Sequence, residues 1–184
     1  MRVALTGTPG TGKSSVATVL EKYGYTIVCL NKLAREHTCI NGIDKKRNSQ
    51  LIDMAKLDRF IKKNFATDVL VFFEGHIGHL LKTMDKVVIL RCHPKELKRR
   101  LMKKKWSIKK IMENVDAEII DVILCEAVEQ HSTKNIFEVD TTRKAIEEVA
   151  VLIMEIVNKK FQPTKSYTIG QIDWSEEILK ENYT

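Results

Sequence analysis

Hydrophobic and polar positions alternate along the chain in blocks that change period. Residues 2–6 (RVALT) form a short apolar run that stops at a glycine, the pattern of a buried strand. Val16, Ala17, Val19 and Leu20 then recur at helical spacing within residues 13–22. Tyr25 to Leu30 predicts a second strand, and Asn31 a cap for a short helix through His37. Residues 38–50 are polar, with Asn41-Gly42 as a turn signal, before a helix from about Met54 to Asn64. Asp68 to Phe73 and Lys86 to Arg91 are apolar runs rich in β-formers. Pro94 suits the first turn of a helix to about Lys105, and Ser107 the cap of one long helix to Gln130. Asn135 to Val139 predicts a last strand, followed by a helix from Thr141 or Thr142 to about Lys159. A linker around Pro163 leads to a small helix capped by Ser175.

Near-continuous apolar strands separated by helices predict a parallel sheet covered on both faces, an α/β fold. Such sheets bind ligands at the carboxyl ends of their strands, which is where Gly7 and Glu74 fall. With 184 residues and 43% hydrophobic content the chain fits one domain with a real core. No apolar run approaches the roughly 20 residues of a membrane helix, and the first strand leaves no room for a signal peptide. The chain is therefore expected to be cytoplasmic, with no membrane partner. Cys29 and Cys125 fall in apolar surroundings and are expected in the core, and all four cysteines, Cys29, Cys39, Cys92 and Cys125, are expected as reduced thiols. His37-x-Cys39 and Cys92-His93 lack the second pair that a structural zinc needs.

The net charge of +7 is concentrated. Residues 91–110 carry ten bases (Arg91, Lys95, Lys98, Arg99, Arg100, Lys103, Lys104, Lys105, Lys109 and Lys110) against Glu96 alone. That favours phosphate-rich partners: nucleotides, RNA or both.

The sharpest signal is Gly7-Thr8-Pro9-Gly10-Thr11-Gly12-Lys13-Ser14, which fits G-x-x-x-x-G-K-[ST] between a strand and a helix. Glycines let the backbone curl so that successive N–H groups, those of Gly10, Thr11 and Gly12 among them, face phosphate oxygens. The helix that follows adds its positive end. Lys13 is expected on the β- and γ-phosphates of ATP, Ser14 on Mg²⁺ as the metal ligand, and Ser15 near the α-phosphate. A magnesium triphosphate site also needs a carboxylate at the end of a neighbouring strand, and Glu74 stands there. His76, two residues on, could bind a water or act as a general base, whereas His79 is expected to be structural.

Those motifs, with Asn31-Lys-Leu-Ala-Arg35, His93-Pro-Lys-Glu-Leu through Arg100-Leu101, Asn114 to Asp121 and Phe137-Glu-Val-Asp-Thr-Thr142, resemble the adenylate-kinase-like nucleoside monophosphate kinases. The likeness is greatest to the CINAP branch, typified by the nuclear adenylate kinase isoenzyme six and its archaeal counterparts, and covers about residues 1–160. It implies a P-loop NTPase domain, a monophosphate-binding segment at about 30–50 and a lid at about 99–109, leaving 161–184 as a C-terminal tail. It implies that Arg35 grips the phosphate of AMP or another nucleoside monophosphate, that Arg100 swings onto the ATP phosphates, and that Arg143 borders the adenine. In that setting Lys13, Glu74, His76 and Arg100 are the catalytic set, with Mg²⁺ and ATP as the cofactor pair. Ordinary adenylate kinases carry arginines where Gly78, Lys110 and Asp121 stand here, so slow transfer with some ATP hydrolysis is expected. The resemblance also implies a link to small ribosomal subunit assembly and rRNA maturation, with a uS11-type ribosomal protein and pre-ribosomal RNA as partners.

Overall fold

A computed structural model describes residues 1–37, 39–44, 49–66 and 68–181. Five parallel strands form its centre: β1 (Arg2–Gly7), β2 (Thr26–Cys29), β5 (Val71–Glu74), β6 (Lys86–Arg91) and β7 (Ile136–Asp140), in the order β2-β5-β1-β6-β7. A separate antiparallel hairpin, β3 (Ile40–Asp44) with β4 (Ser49–Ile52), occupies the stretch whose polar composition suggests only a turn.

Period-two alternation explains how the sheet is covered. Val3 and Leu5 point into a core shared with α1 (Lys13–Lys22) and α7 (Ile146–Asn158), including Val16, Leu20, Ile153 and Ile156. Ala4 points the other way, toward Leu30, Leu57, Ile61 and Ala127 of α2 (Leu30–Glu36), α3 (Met54–Asn64) and α6 (Val122–Gln130). A third apolar cluster lies outside the sheet. Leu97 and Leu101 of α4 (Pro94–Met102) pack there on Ile111, Val115 and Ile119 of α5 (Ile108–Ile119), with Trp106 alongside. Of the segment expected to be a lid, 99–109, Leu101 and Trp106 belong to this cluster.

Helix starts follow local chemistry where it is strong. The Asp53 carboxylate accepts from Lys56 N at 2.9 Å, and the Ser107 hydroxyl from Lys110 N at 3.3 Å. Several sequence expectations are corrected. Asn31 caps nothing: α2 begins one residue earlier, with Cys29 in the cap position. The single helix from Ser107 to Gln130 is two, broken at Asp121, whose backbone is left-handed at φ 56°. Aspartate tolerates that conformation better than most residues, and its carboxylate is held there by Arg91. The last long helix starts at Ile146 rather than at Thr141 or Thr142, with Glu148 accepting from Ala145 N at 2.7 Å. Cys29 and Cys125 are exposed, one ending a strand and the other on the outer face of α6, while Cys39 and Cys92 are buried. Burial pushes the Cys92 thiol up to about 11, which leaves it unreactive.

Beyond α7 the chain turns back over β7. Glu138 N donates to Tyr167 O at 3.0 Å, Gly170 N to the Glu138 carboxylate at 2.8 Å, and Tyr167 Oη to Glu155 at 2.7 Å. The small helix α8 (Glu176–Glu181) then brings Glu177 within 3.4 Å of Lys95, at the start of α4. Among the described residues no helix is long and apolar enough to cross a membrane.

Candidate active site

All five parallel strands end at one edge, and the site is assembled there. Register sets Glu74 beside Leu5 on one side and Cys29 on the other, with Gly7 beside Leu90 and Arg91 beside Asp140. The loop after β1 leaves the sheet through Gly7, which has φ 140° and lies so close to β6 that a Cβ would sit 2.3 Å from Leu90 O. Gly12, at φ 106°, hands the chain into α1.

Within the loop, Lys13 is buried and its ammonium donates to Gly7 O at 2.7 Å and Thr8 O at 3.1 Å. Burial lowers its pKa to about 8, against the opposing pull of Glu74 and Glu118. A desolvated ammonium in a nest of backbone donors is primed for a multiply charged anion. Ser14 is exposed, and its hydroxyl donates to Glu74 Oε1 at 3.0 Å. The hydroxyl expected on the metal thus meets the strand-end carboxylate. A hydroxyl and one carboxylate are hard oxygen donors that suit Mg²⁺, which takes its remaining positions from phosphate and water.

His76 is exposed beside this pair, and partial desolvation together with the Lys13 charge lowers its pKa. It is therefore neutral near pH 7 and able to accept a proton. His79 is buried, with Nδ1 3.2 Å from the Thr6 hydroxyl and Nε2 2.8 Å from Glu126, so it braces the strand before the loop.

Alongside the loop runs a cleft of about 360 Å³ lined by Gly10, Thr11, Gly12, Ser15, Arg99, Arg100 and Lys103, among others. Arg100 reaches across it to Thr141, donating from Nη2 to the carbonyl at 2.8 Å and from Nη1 to the hydroxyl at 3.2 Å. Glu96 pairs with both Arg99 and Arg100 at 2.8–3.0 Å, and those hydrogen bonds, that of Arg99 first, hold its carboxyl down at about 2. Arg143 is exposed, with a left-handed φ of 54°, and the cleft is instead walled there by Thr141, Lys144 and Ile146. Arg35 is exposed on α2, its Nε bonded to Asn31 O at 3.1 Å. Residues 38 and 45–48 of the expected monophosphate segment lie outside the described residues.

The contact between α4 and the loop is tight at Gly10. A Cβ there would lie 2.8 Å from Leu101 Cδ2 and 2.9 Å from Leu97 Cδ1, at a φ of 101°. Gly10→Ala is expected to cost about 2–4 kcal/mol of stability through strain and overpacking. It should also weaken ATP binding, and a melting curve paired with an ATP titration checks both effects.

Sequence reading missed a buried ionic cluster behind the loop. Arg91, counted there in the basic run that favours phosphate-rich partners, is 2% exposed and pairs with Glu118, Glu138 and Asp121. Burial opposes its charge, but the three carboxylates, Glu118 foremost, outweigh that and raise its pKa. Burial raises the Glu138 carboxyl despite Arg91. One signal was available: like Glu74, Arg91 is a charge ending a buried strand.

Phosphate loop and strand-end carboxylate on a parallel sheet define a P-loop nucleotide-binding protein. Comparison bears this out. A family profile described as an AAA domain matches residues 3–121. A protein of Archaeoglobus fulgidus described as "Putative adenylate kinase" is 42% identical over 178 residues, 97% of this chain and 94% of that one. One of Methanocaldococcus jannaschii with the same description is 34% identical over 180 residues, 97% and 96% of the two chains. The chain belongs to the AAA-domain family and to the group that these two archaeal relatives form. Among solved structures, TT1252 from Thermus thermophilus superposes with a TM-score of 0.61 at 16% identity, covering 89% of this chain and 98% of that one. Thymidylate kinase from Candida albicans does so at 0.55 and 15%, covering 91% and 96%. At such identities the likeness speaks for the fold alone.

Proposed function

We propose that this chain is a nucleoside monophosphate kinase of adenylate kinase type, in the CINAP branch, catalysing ATP + AMP = 2 ADP with some accompanying ATP hydrolysis. The observation that carries the reading is the meeting of Lys13, Ser14 and Glu74 at the edge where a cleft walled by Arg99, Arg100 and Lys103 opens. The near full-length likeness to the archaeal adenylate kinase relatives supports it.

In this reaction a phosphate oxygen of AMP attacks the γ-phosphorus of ATP in line, and the bond from that phosphorus to the β,γ-bridging oxygen breaks. Ser14 and Glu74 would hold Mg²⁺, whose chemistry is to neutralise charge on the β- and γ-phosphates. Lys13 exchanges its two carbonyl bonds for phosphate oxygens. Arg100, released from Thr141, turns toward the transferring group, and Arg35 holds the monophosphate through its planar fork. Glu74 and neutral His76 orient the attacking group, or a water where hydrolysis competes. Closure of the α4–α5 segment excludes water, and that exclusion separates transfer from hydrolysis.

A second reading, an ATP-driven factor in small ribosomal subunit assembly and rRNA maturation, is favoured by one feature. The lid exposes Lys98, Lys103, Lys104, Lys105 and Lys109, a face suited to pre-ribosomal RNA beside a uS11-type protein. The deciding experiment follows ADP and free phosphate from Mg-ATP with and without AMP, using Lys13→Ala as the contamination control. AMP-driven ADP formation without phosphate is the expected result. Phosphate release that ignores AMP would leave the second reading in front.

A further inference from the structure

Thr8 is the second residue of the phosphate loop, yet its side chain faces away from the phosphate nest. It is 2% exposed, and its hydroxyl donates to Glu118 Oε2 in the last turn of α5. The other oxygen of Glu118 accepts from Arg91 Nε at 2.9 Å and from Cys92 N at 3.0 Å, so that carboxylate is fixed to the end of β6. Arg91 also holds Asp121, where α5 breaks from α6. The far end of α5 is therefore pinned, while its near end, after Trp106, belongs to the cationic lid. On the loop side, Thr8 O accepts from Thr11 N at 3.2 Å, from the Thr11 hydroxyl at 2.9 Å and from Lys13 Nζ at 3.1 Å. One residue thus connects the lid's pivot to the lysine that meets phosphate.

We propose that Glu118 is a positioning residue that acts through Thr8, holding the phosphate loop and the pivot of the lid helix in one register, so that nucleotide binding at Lys13 and ordering of α5 are coupled. Neither residue lines the cleft beside the loop. The bond is buried, so removing the hydroxyl leaves a carboxylate oxygen without its donor.

The test compares Thr8→Val, which keeps the shape and deletes the hydroxyl, with Thr8→Ser, which keeps the hydroxyl. Three quantities are read: ATP affinity by direct titration, kcat and both KM values in the ATP–AMP assay, and amide exchange of residues 108–119 with and without ATP. Thr8→Val should weaken ATP affinity roughly tenfold, with the KM for AMP changed by less than about twofold, since α2 is not part of the connection. Amides of 108–119 should exchange faster in the free variant, and ATP, which is expected to slow them in the unaltered chain, should no longer do so. Thr8→Ser should recover most of both losses. The proposal is overturned if Thr8→Val only lowers the melting temperature, with ATP affinity and the ATP effect on 108–119 retained, or if Thr8→Ser is as impaired as Thr8→Val. The kinetic arm rests on the kinase reading. If AMP does not accelerate ADP formation in the unaltered chain, that reading fails, while titration and exchange still decide the coupling.

Discussion

Replacing Lys13 with alanine is expected to lower kcat/KM for ATP by roughly a thousandfold, the scale for losing one preorganised charge in a water-excluded phosphoryl-transfer site. Nothing else in the loop can substitute, because the remaining donors there are backbone N–H groups and the hydroxyls of Thr8, Thr11 and Ser14, none of which carries net charge. The pH dependence gives the residue a signature. Its pKa is lowered by burial to about 8, so in the free protein the ammonium is lost as pH rises through that value, and kcat/KM should fall there. Stability should move the opposite way. The unfolded chain keeps its lysine protonated to about 10.5, so between about 8 and 10.5 the unfolded state binds more protons and the fold gains stability as pH rises. Lys13→Met should abolish that gain while melting no earlier than the unaltered chain below pH 8. Denaturant titrations at three pH values and a pH–rate profile check both trends. A variant retaining more than about a tenth of the activity would remove Lys13 from its role.

The second large effect is on the fold. Arg91→Met should destabilise the protein by about 3–5 kcal/mol, because Glu118 and Glu138 would stay buried without their cation. For a domain of this size that is a melting-temperature drop of roughly 10 °C. Acid should narrow the gap. Glu138 already has a raised pKa, and a raised carboxyl contributes stability below its unfolded value that is lost as pH rises through the folded one. Without Arg91 it rises further, so the variant should lose more stability than the unaltered chain as pH rises from 4 to 7. Replacing Glu118 and Glu138 by glutamine in the Arg91→Met background should restore part of the loss. A variant that melts within about 2 °C of the unaltered chain at pH 7.5 would mean that the cluster is solvated.

How far the sequence revealed this depends on whether each feature is local. The strand–loop–helix unit at residues 2–22 was readable because glycines, lysine and hydroxyl recur at spacing fixed by one phosphate group. Glu74 was readable because a carboxylate ending a buried strand is costly unless it has work at the sheet edge, and it does meet Ser14. The break at Asp121 was not, since residues 107–130 have continuous helical periodicity and only a distant arginine makes the left-handed turn favourable. Arg91 was hidden for the same reason: its three partners are 27, 30 and 47 residues away, and by composition it joined a basic run. The β3–β4 hairpin escaped because Asn41-Gly42 marked a turn, whereas both residues lie in a strand.

The segment after α7 has a consequence for the molecule among other molecules. β7 is the last strand of the sheet, and its outer side would offer unpaired donors and acceptors to any extended chain that drifted alongside. Tyr167 and Gly170 answer the backbone N–H and the side chain of Glu138 in the middle of that side, and Tyr167 is anchored in turn by Glu155. The returning chain thus works as a guard rail against strand addition between copies, a colloidal safeguard that uses no residue of the nucleotide site.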